Sequence, residues 1–150
     1  MSVEQHKPGW HNMSQEEGVW RAAAETEADR LQEGDAAHKR AFDLEERTAR
    51  FGEAIIRFAK RIPFNPVNNR LINQVAGAGT SVGANYCEAK DGVSRNDFKH
   101  RIGPCRKEAK ETRFLLRMIA TAEPSLAEEA RVLWREANEL NLIFSSIWRK

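Results

Sequence analysis

Apolar positions along residues 42–148 recur at spacings of three, four and seven, the period of an amphipathic helix rather than a strand. Four segments carry the pattern. The first runs from about Phe42 to Ile62, with Leu44, Phe51, Ile55, Phe58 and Ile62 on one stripe, and Pro63 and Pro66 stop it. The second runs from about Asn69 to Ala89, with Leu71, Val75, Ala78, Val82, Asn85 and Ala89 along its seam, and ends at Asp91-Gly92. The third, from about Arg95 to Thr121, places Phe98, Ile102, Cys105, Ala109, Thr112, Leu116 and Ile119 at alternating steps of four and three, a heptad pattern. Pro124-Ser125 separates it from the fourth, about Leu126 to Trp148, whose seam is Leu126, Ala130, Leu133, Ala137, Leu140, Phe144 and Ile147. No alternating run bounded by turn signals competes with these helices. Helices of about 20 residues are about 30 Å long, and short connections make neighbours antiparallel. The pattern therefore predicts an all-α fold, an antiparallel up-down-up-down four-helix bundle over residues 42–150.

Residues 1–41 read differently, as an N-terminal extension that either contains a short helix or is a loosely ordered tail. The stretch to Met13 is polar and holds Pro8-Gly9. Ser14 and Glu17 then fit a capping box, Trp20, Ala23, Ala24, Ala28 and Leu31 follow at helical spacing, and Gly34-Asp35 ends the run. An alanine-rich stripe of this length is marginal alone. Trp10 and Trp20 are the side chains able to dock it on the bundle or on a partner.

Two positions strain the pattern. Ala76-Gly77-Ala78-Gly79-Thr80-Ser81 puts six small residues in mid-helix, and each interior glycine costs roughly 1 kcal/mol against alanine. The expected return is close approach of another helix; the run lacks the strand and the Gly-Lys-Ser/Thr ending of a phosphate loop. Pro104, after Gly103, falls inside the third helix, which predicts a kink near residues 100–104 or two pieces, Arg95–Ile102 and Cys105–Thr121. Asn85 is read as a structural polar residue of the core seam, setting register at some cost in stability.

Composition narrows the function classes. The 150 residues are 41% hydrophobic and 31% charged, a soluble globular balance, and no apolar run reaches membrane-spanning length. The N-terminus has no secretory pattern, which makes a cytoplasmic location the expectation. Cys87 and Cys105 form no CxxC pair and read as small hydrophobes inside helices. Three of the four histidines (His6, His11, His38) lie in the extension, and His100 has no partner at helical spacing. No ExxH motif suggests a di-iron bundle, so no metal or cofactor is expected. No acid, base and nucleophile set appears, so the chain is not read as an enzyme.

Charge is unevenly placed. Net charge is +2, yet residues 1–40 carry 5 basic and 8 acidic residues, while residues 95–117 carry 8 basic and 3 acidic. With Ile102, Cys105, Ala109 and Thr112 inward, Lys99, Arg106, Lys110, Arg113 and Arg117 share an outward stripe. Like charges at i, i+4 are mildly unfavourable unless something offsets them. The stripe is a candidate site for RNA or DNA phosphates; the competing reading is a solvated face partly neutralised by Glu108, Glu111 and neighbouring subunits. No aromatic residue is expected to interleave there, so base stacking is not indicated. A second class of function is a protein-interaction scaffold with no nucleic-acid role, its partner recruited by the extension.

Three stretches carry a resemblance: Ser81-Val82-Gly83-Ala84-Asn85-Tyr86-Cys87-Glu88-Ala89; Ser94-Arg95 with Asp97-Phe98; and Lys107-Glu108-Ala109-Lys110-Glu111-Thr112-Arg113-Phe114-Leu115-Leu116. Over about residues 42–148 the chain resembles the bacterial four-helix-bundle family first noted as reading frames within intervening sequences of 23S ribosomal RNA genes. The resemblance implies a cytoplasmic, non-enzymatic homo-oligomer, a pentameric ring. A relative of that family is the accessory variability protein of diversity-generating retroelements, a basic pentamer that binds nucleic acid and reverse transcriptase. The extension and Gly103-Pro104 depart from the family pattern.

Overall fold

A computed structural model of the chain describes residues 18–21 and 44–150. Four long helices follow in order: α1 (Leu44–Ala59), α2 (Pro66–Lys90), α3 (Arg95–Ala122) and α4 (Ala127–Arg149), with a 3-10 turn at Pro124–Leu126. Among the described residues there is no strand. Residues 18–21 are also helical, within the helix predicted from Ser14; the Ser14–Glu17 cap and the run from 22 to Gly34-Asp35 lie outside the described residues, as do Trp10 and Phe42.

Several helix boundaries have a chemical cause. α1 carries Glu45 and Glu46 in its first turn and Arg57 in its last, in the sense its macrodipole favours. It ends in a tight turn in which the Arg61 and Ile62 amides donate to Phe58 and Ala59 carbonyls, ahead of Pro63. Asn65 caps α2 by accepting the Asn68 amide at 2.8 Å, and Pro66 occupies the first helical position, where its missing N–H costs nothing. Ser94 caps α3 by accepting the Asp97 amide at 3.1 Å. The Asp97 carboxylate in turn accepts the Val93 amide at 3.2 Å and pairs with Arg101 at 3.2 Å; the Arg101 hydrogen bond, then that amide, hold its carboxyl below the ordinary range.

α3 is one continuous helix through Pro104, so the expectation of two pieces is not met. Both Pro104 and His100 are exposed, so the carbonyl that proline leaves without a donor faces water. Trp148 of α4 lies alongside, its indole nitrogen 3.9 Å from where a Cβ on Gly103 would be.

Successive helices pack on one another, and α1 also meets α4. The core holds Leu44, Ile55, Phe58, Val75, Val82, Ile102, Leu116, Ile119, Leu140 and Phe144, all at most 1% exposed. Every predicted apolar seam residue of α1 is buried, Ile62 included, and so is the α3 seam apart from half-buried Phe98. On α2 the seam passes through Tyr86, whose ring meets Phe144 at 5.7 Å, while Asn85 is only half-buried. The polar residues buried in the fold are instead Thr48, Asn68, Thr112 and Asn138.

The small residues of α2 divide by face. A Cβ on Gly79 would lie 2.7 Å from Ile55 Cγ2, and one on Gly83 3.2 Å from Thr48 Oγ1, so these positions let α1 approach. Gly77 meets nothing within 4 Å and does not share that role. Cys105 is fully buried, and burial pushes its thiol pKa up to about 12, whereas Cys87 is exposed and does not act as a core hydrophobe.

Polar contacts join the helices at both ends and in the middle. Lys90 at the end of α2 pairs with Glu45 at the start of α1. Asn68 at the start of α2 donates to Glu123, just past α3, at 2.7 Å, and to the Pro63 carbonyl at 2.9 Å. Arg61 after α1 pairs with Glu129 at the start of α4. Arg47 donates two bonds to Glu136, at 2.7 and 2.9 Å, and pairs with Glu139 at 2.6 Å; that hydrogen-bonding, above all from Glu136, raises its pKa further.

Candidate nucleic-acid interface

The heptad seam of α3 fixes where its basic residues go. Ile102, Cys105, Ala109, Thr112 and Leu116 are buried, which turns Lys110 to solvent and leaves Lys99, Arg106, Arg113 and Arg117 half-buried on the flank. The stripe does not act as one unit. Lys110, Arg113 and Arg117 line one open cleft with Trp20, Arg21, Phe114 and Trp134. Arg106 lies outside it, its guanidinium 4.4 Å from the centre of the Trp148 ring. Lys99, near the start of α3, is not among the cleft residues.

Arg113 is the best-held member. It donates through Nη1 to Oδ1 of Asn138, which is 2% exposed, at 2.5 Å, and its guanidinium stands 5.7 Å from the Trp134 ring. Burial lowers its pKa. Among the described residues no carboxylate pairs with it, and Nδ2 of Asn138 has no partner. Asn141 supports the same side by donating to the Arg106 carbonyl at 2.9 Å. Neutralisation by Glu108 and Glu111 is not seen: among the described residues neither makes an ion pair with a stripe cation. Burial, helped by the nearby Glu111 charge, raises the Glu108 pKa.

The expectation that no aromatic residue interleaves is overturned. Trp20 packs on Trp134 with ring centroids 4.9 Å apart, and the two are 6% and 7% exposed. Phe114, beside Arg113 on α3, is 60% exposed in the same cleft. Trp20 of the extension is thus docked on α4 and not displayed to a partner. The periodicity of α3 cannot reveal Trp134 and Trp148, because they reach the stripe from another helix. Trp134 does leave a signal on its own helix: it lies four residues from Ala130 and three from Ala137, and so widens the α4 seam.

A second groove lies between α1 and α2, of about 370 Å³. Ala49, Gly52, Thr80, Gly83, Ala84 and Cys87 line it, with Ile56 45% exposed, and Glu45, Glu46 and Glu53 on its rim. Among the described residues no group of three or more His, Cys, Asp or Glu side chains is placed to hold a metal ion. No helix of the described residues is long and apolar enough to cross a membrane.

The family model of 23S rRNA-intervening sequence proteins matches residues 40–146. Among solved structures, a protein of unknown function from the S23 ribosomal protein family of Bacteroides thetaiotaomicron is 27% identical; the match covers 71% of this chain and 98% of that one, with a TM-score of 0.62. No curated protein matches the chain.

Proposed function

We propose, for a chain that belongs to the 23S rRNA-intervening sequence protein family, a non-enzymatic, cytoplasmic, homo-oligomeric bundle that binds RNA or DNA backbone through α3. The observation that carries this reading is the cleft itself. Among the described residues, Arg21, Lys110, Arg113 and Arg117 line it and no acidic residue does. A guanidinium held half-buried, with no carboxylate paired to it among the described residues, as Arg113 is, suits an anionic ligand, and charge-assisted bonds to phosphate are the strong ones.

The bundle is read as residues 42–150 in up-down-up-down antiparallel order, with residues 1–41 as an extension. Support comes from pairs that join the end of one helix to the start of another: Lys90 with Glu45, Asn68 with Glu123, Arg61 with Glu129. Self-association, a pentamer by family resemblance, is assigned to the groove between α1 and α2. Its small residues permit close helix approach, and its acidic rim repels nucleic acid.

The scaffold reading, with the extension recruiting a protein, is disfavoured by the burial of Trp20. The test is binding of the full chain to single-stranded RNA and DNA with charge reversal at Arg106, Lys110 and Arg117. Loss of binding supports the reading; unchanged binding overturns it.

A further inference from the structure

We infer that the cleft lined by Phe114, Lys110 and Arg113 is a stacking subsite for one unpaired nucleotide of a bound strand. The inference rests on the nucleic-acid reading above and adds what kind of nucleic acid fits.

Phe114 is an apolar ring left 60% exposed on a helix whose other apolar residues are largely buried. Its neighbours at i−4 and i+3 are Lys110 and Arg117, and those spacings place side chains on the same helix face. One ring is therefore flanked by cations along the helix. Across the cleft stand Trp20 and Trp134, tilted on one another at 56°. The cleft is about 440 Å³, inside the roughly 300–1,000 Å³ usual for small-ligand sites. A ring platform beside phosphate-binding cations is how proteins hold unpaired strands, because every base has a stacking face. A duplex keeps those faces inside its own stack and could use only the cations. The ligand chemistry is thus a phosphorylated base, and the open end of the cleft fits a strand rather than an enclosed mononucleotide.

The test is fluorescence anisotropy of labelled oligouridine, a blunt RNA duplex of the same length and uridine monophosphate on the full chain. We expect the single strand to bind tightest. Phe114→Ala should weaken it roughly tenfold and leave the duplex unchanged, and Phe114→Trp should restore it. Equal binding of single strand and duplex, with Phe114→Ala unchanged, overturns the subsite and leaves the charge-based reading standing. Uridine monophosphate bound as tightly as oligouridine overturns the assignment to a strand. Failure of every probe to bind overturns both readings.

Discussion

Gly79 of α2 lies directly against Ile55 of α1, so close that a Cβ on the glycine would stand 2.7 Å from one Ile55 methyl carbon and 2.8 Å from Cγ1. Ile55 is fully buried and cannot step aside into solvent. Gly79→Ala should therefore destabilise the fold by about 1–3 kcal/mol through overpacking, outweighing its gain in helix propensity. Gly77→Ala, two residues away, meets open space and should stabilise by about 0.5–1 kcal/mol. Urea unfolding of both variants at one protein concentration checks the opposite signs.

Asn68 ties three segments together while only 2% exposed. Its amide group serves Glu123 and the Pro63 carbonyl, and its backbone N–H is capped by Asn65. Asn68→Ala removes two donated bonds and leaves their acceptors in a half-buried setting. A loss of about 1–3 kcal/mol in unfolding free energy is expected, against less than about 0.5 kcal/mol for Asn73→Ala on the exposed face of the same helix.

The two thiols should behave oppositely. At neutral pH a thiol reagent should label Cys87 in the folded Ala84→Arg variant, whose α1–α2 groove is uncovered, and reach Cys105 only on unfolding. Burial raises the Cys105 pKa from 9.0 to about 12, so the folded state keeps its proton longer than the unfolded chain does. Its contribution to stability is therefore intact below about pH 9 and is lost as pH rises from there towards 12. Cys105→Ala should flatten that alkaline fall, measured as unfolding free energy against pH.

Self-association is tested at Ala84, an exposed small residue in the groove between α1 and α2. Ala84→Arg should reduce the native mass seen by light scattering and leave the helical circular-dichroism signal unchanged. Retention of the wild-type mass would place the subunit interface elsewhere.

Legibility in the sequence depends on how sharply each helix separates apolar from polar. On α3 the apolar seam is flanked by lysines and arginines, and the heptad pattern identifies its buried residues; of the stripe it turns outward, Lys110 is exposed and the other four are half-buried on the flank. On α2 almost every central residue is small, so the phase of the seam is open by one position. Periodicity favours Asn85 where Tyr86 is the buried residue, because an aromatic ring reaching Phe144 decides the phase. The split between Gly77 and Gly79 is likewise invisible in sequence, since it depends on which glycine faces Ile55. The cations of the site can be read because most of them share one helix. Phe114 shares that helix, four residues after Lys110, and is legible with them; the Trp20–Trp134 pair is not, because those two rings come together only on folding.

Phosphate binding in the α3 cleft, as proposed above, requires an affinity that falls with salt. The most direct measurement is the affinity of the full chain for single-stranded RNA across a salt series, beside the Lys110→Glu, Arg117→Glu double variant. The logarithm of the binding constant should fall linearly with the logarithm of salt concentration. The double variant should bind weakly, with a slope shallower by roughly 0.7 for each phosphate it no longer neutralises. Wild-type affinity that ignores salt, or a double variant with the same affinity and slope, would contradict the account.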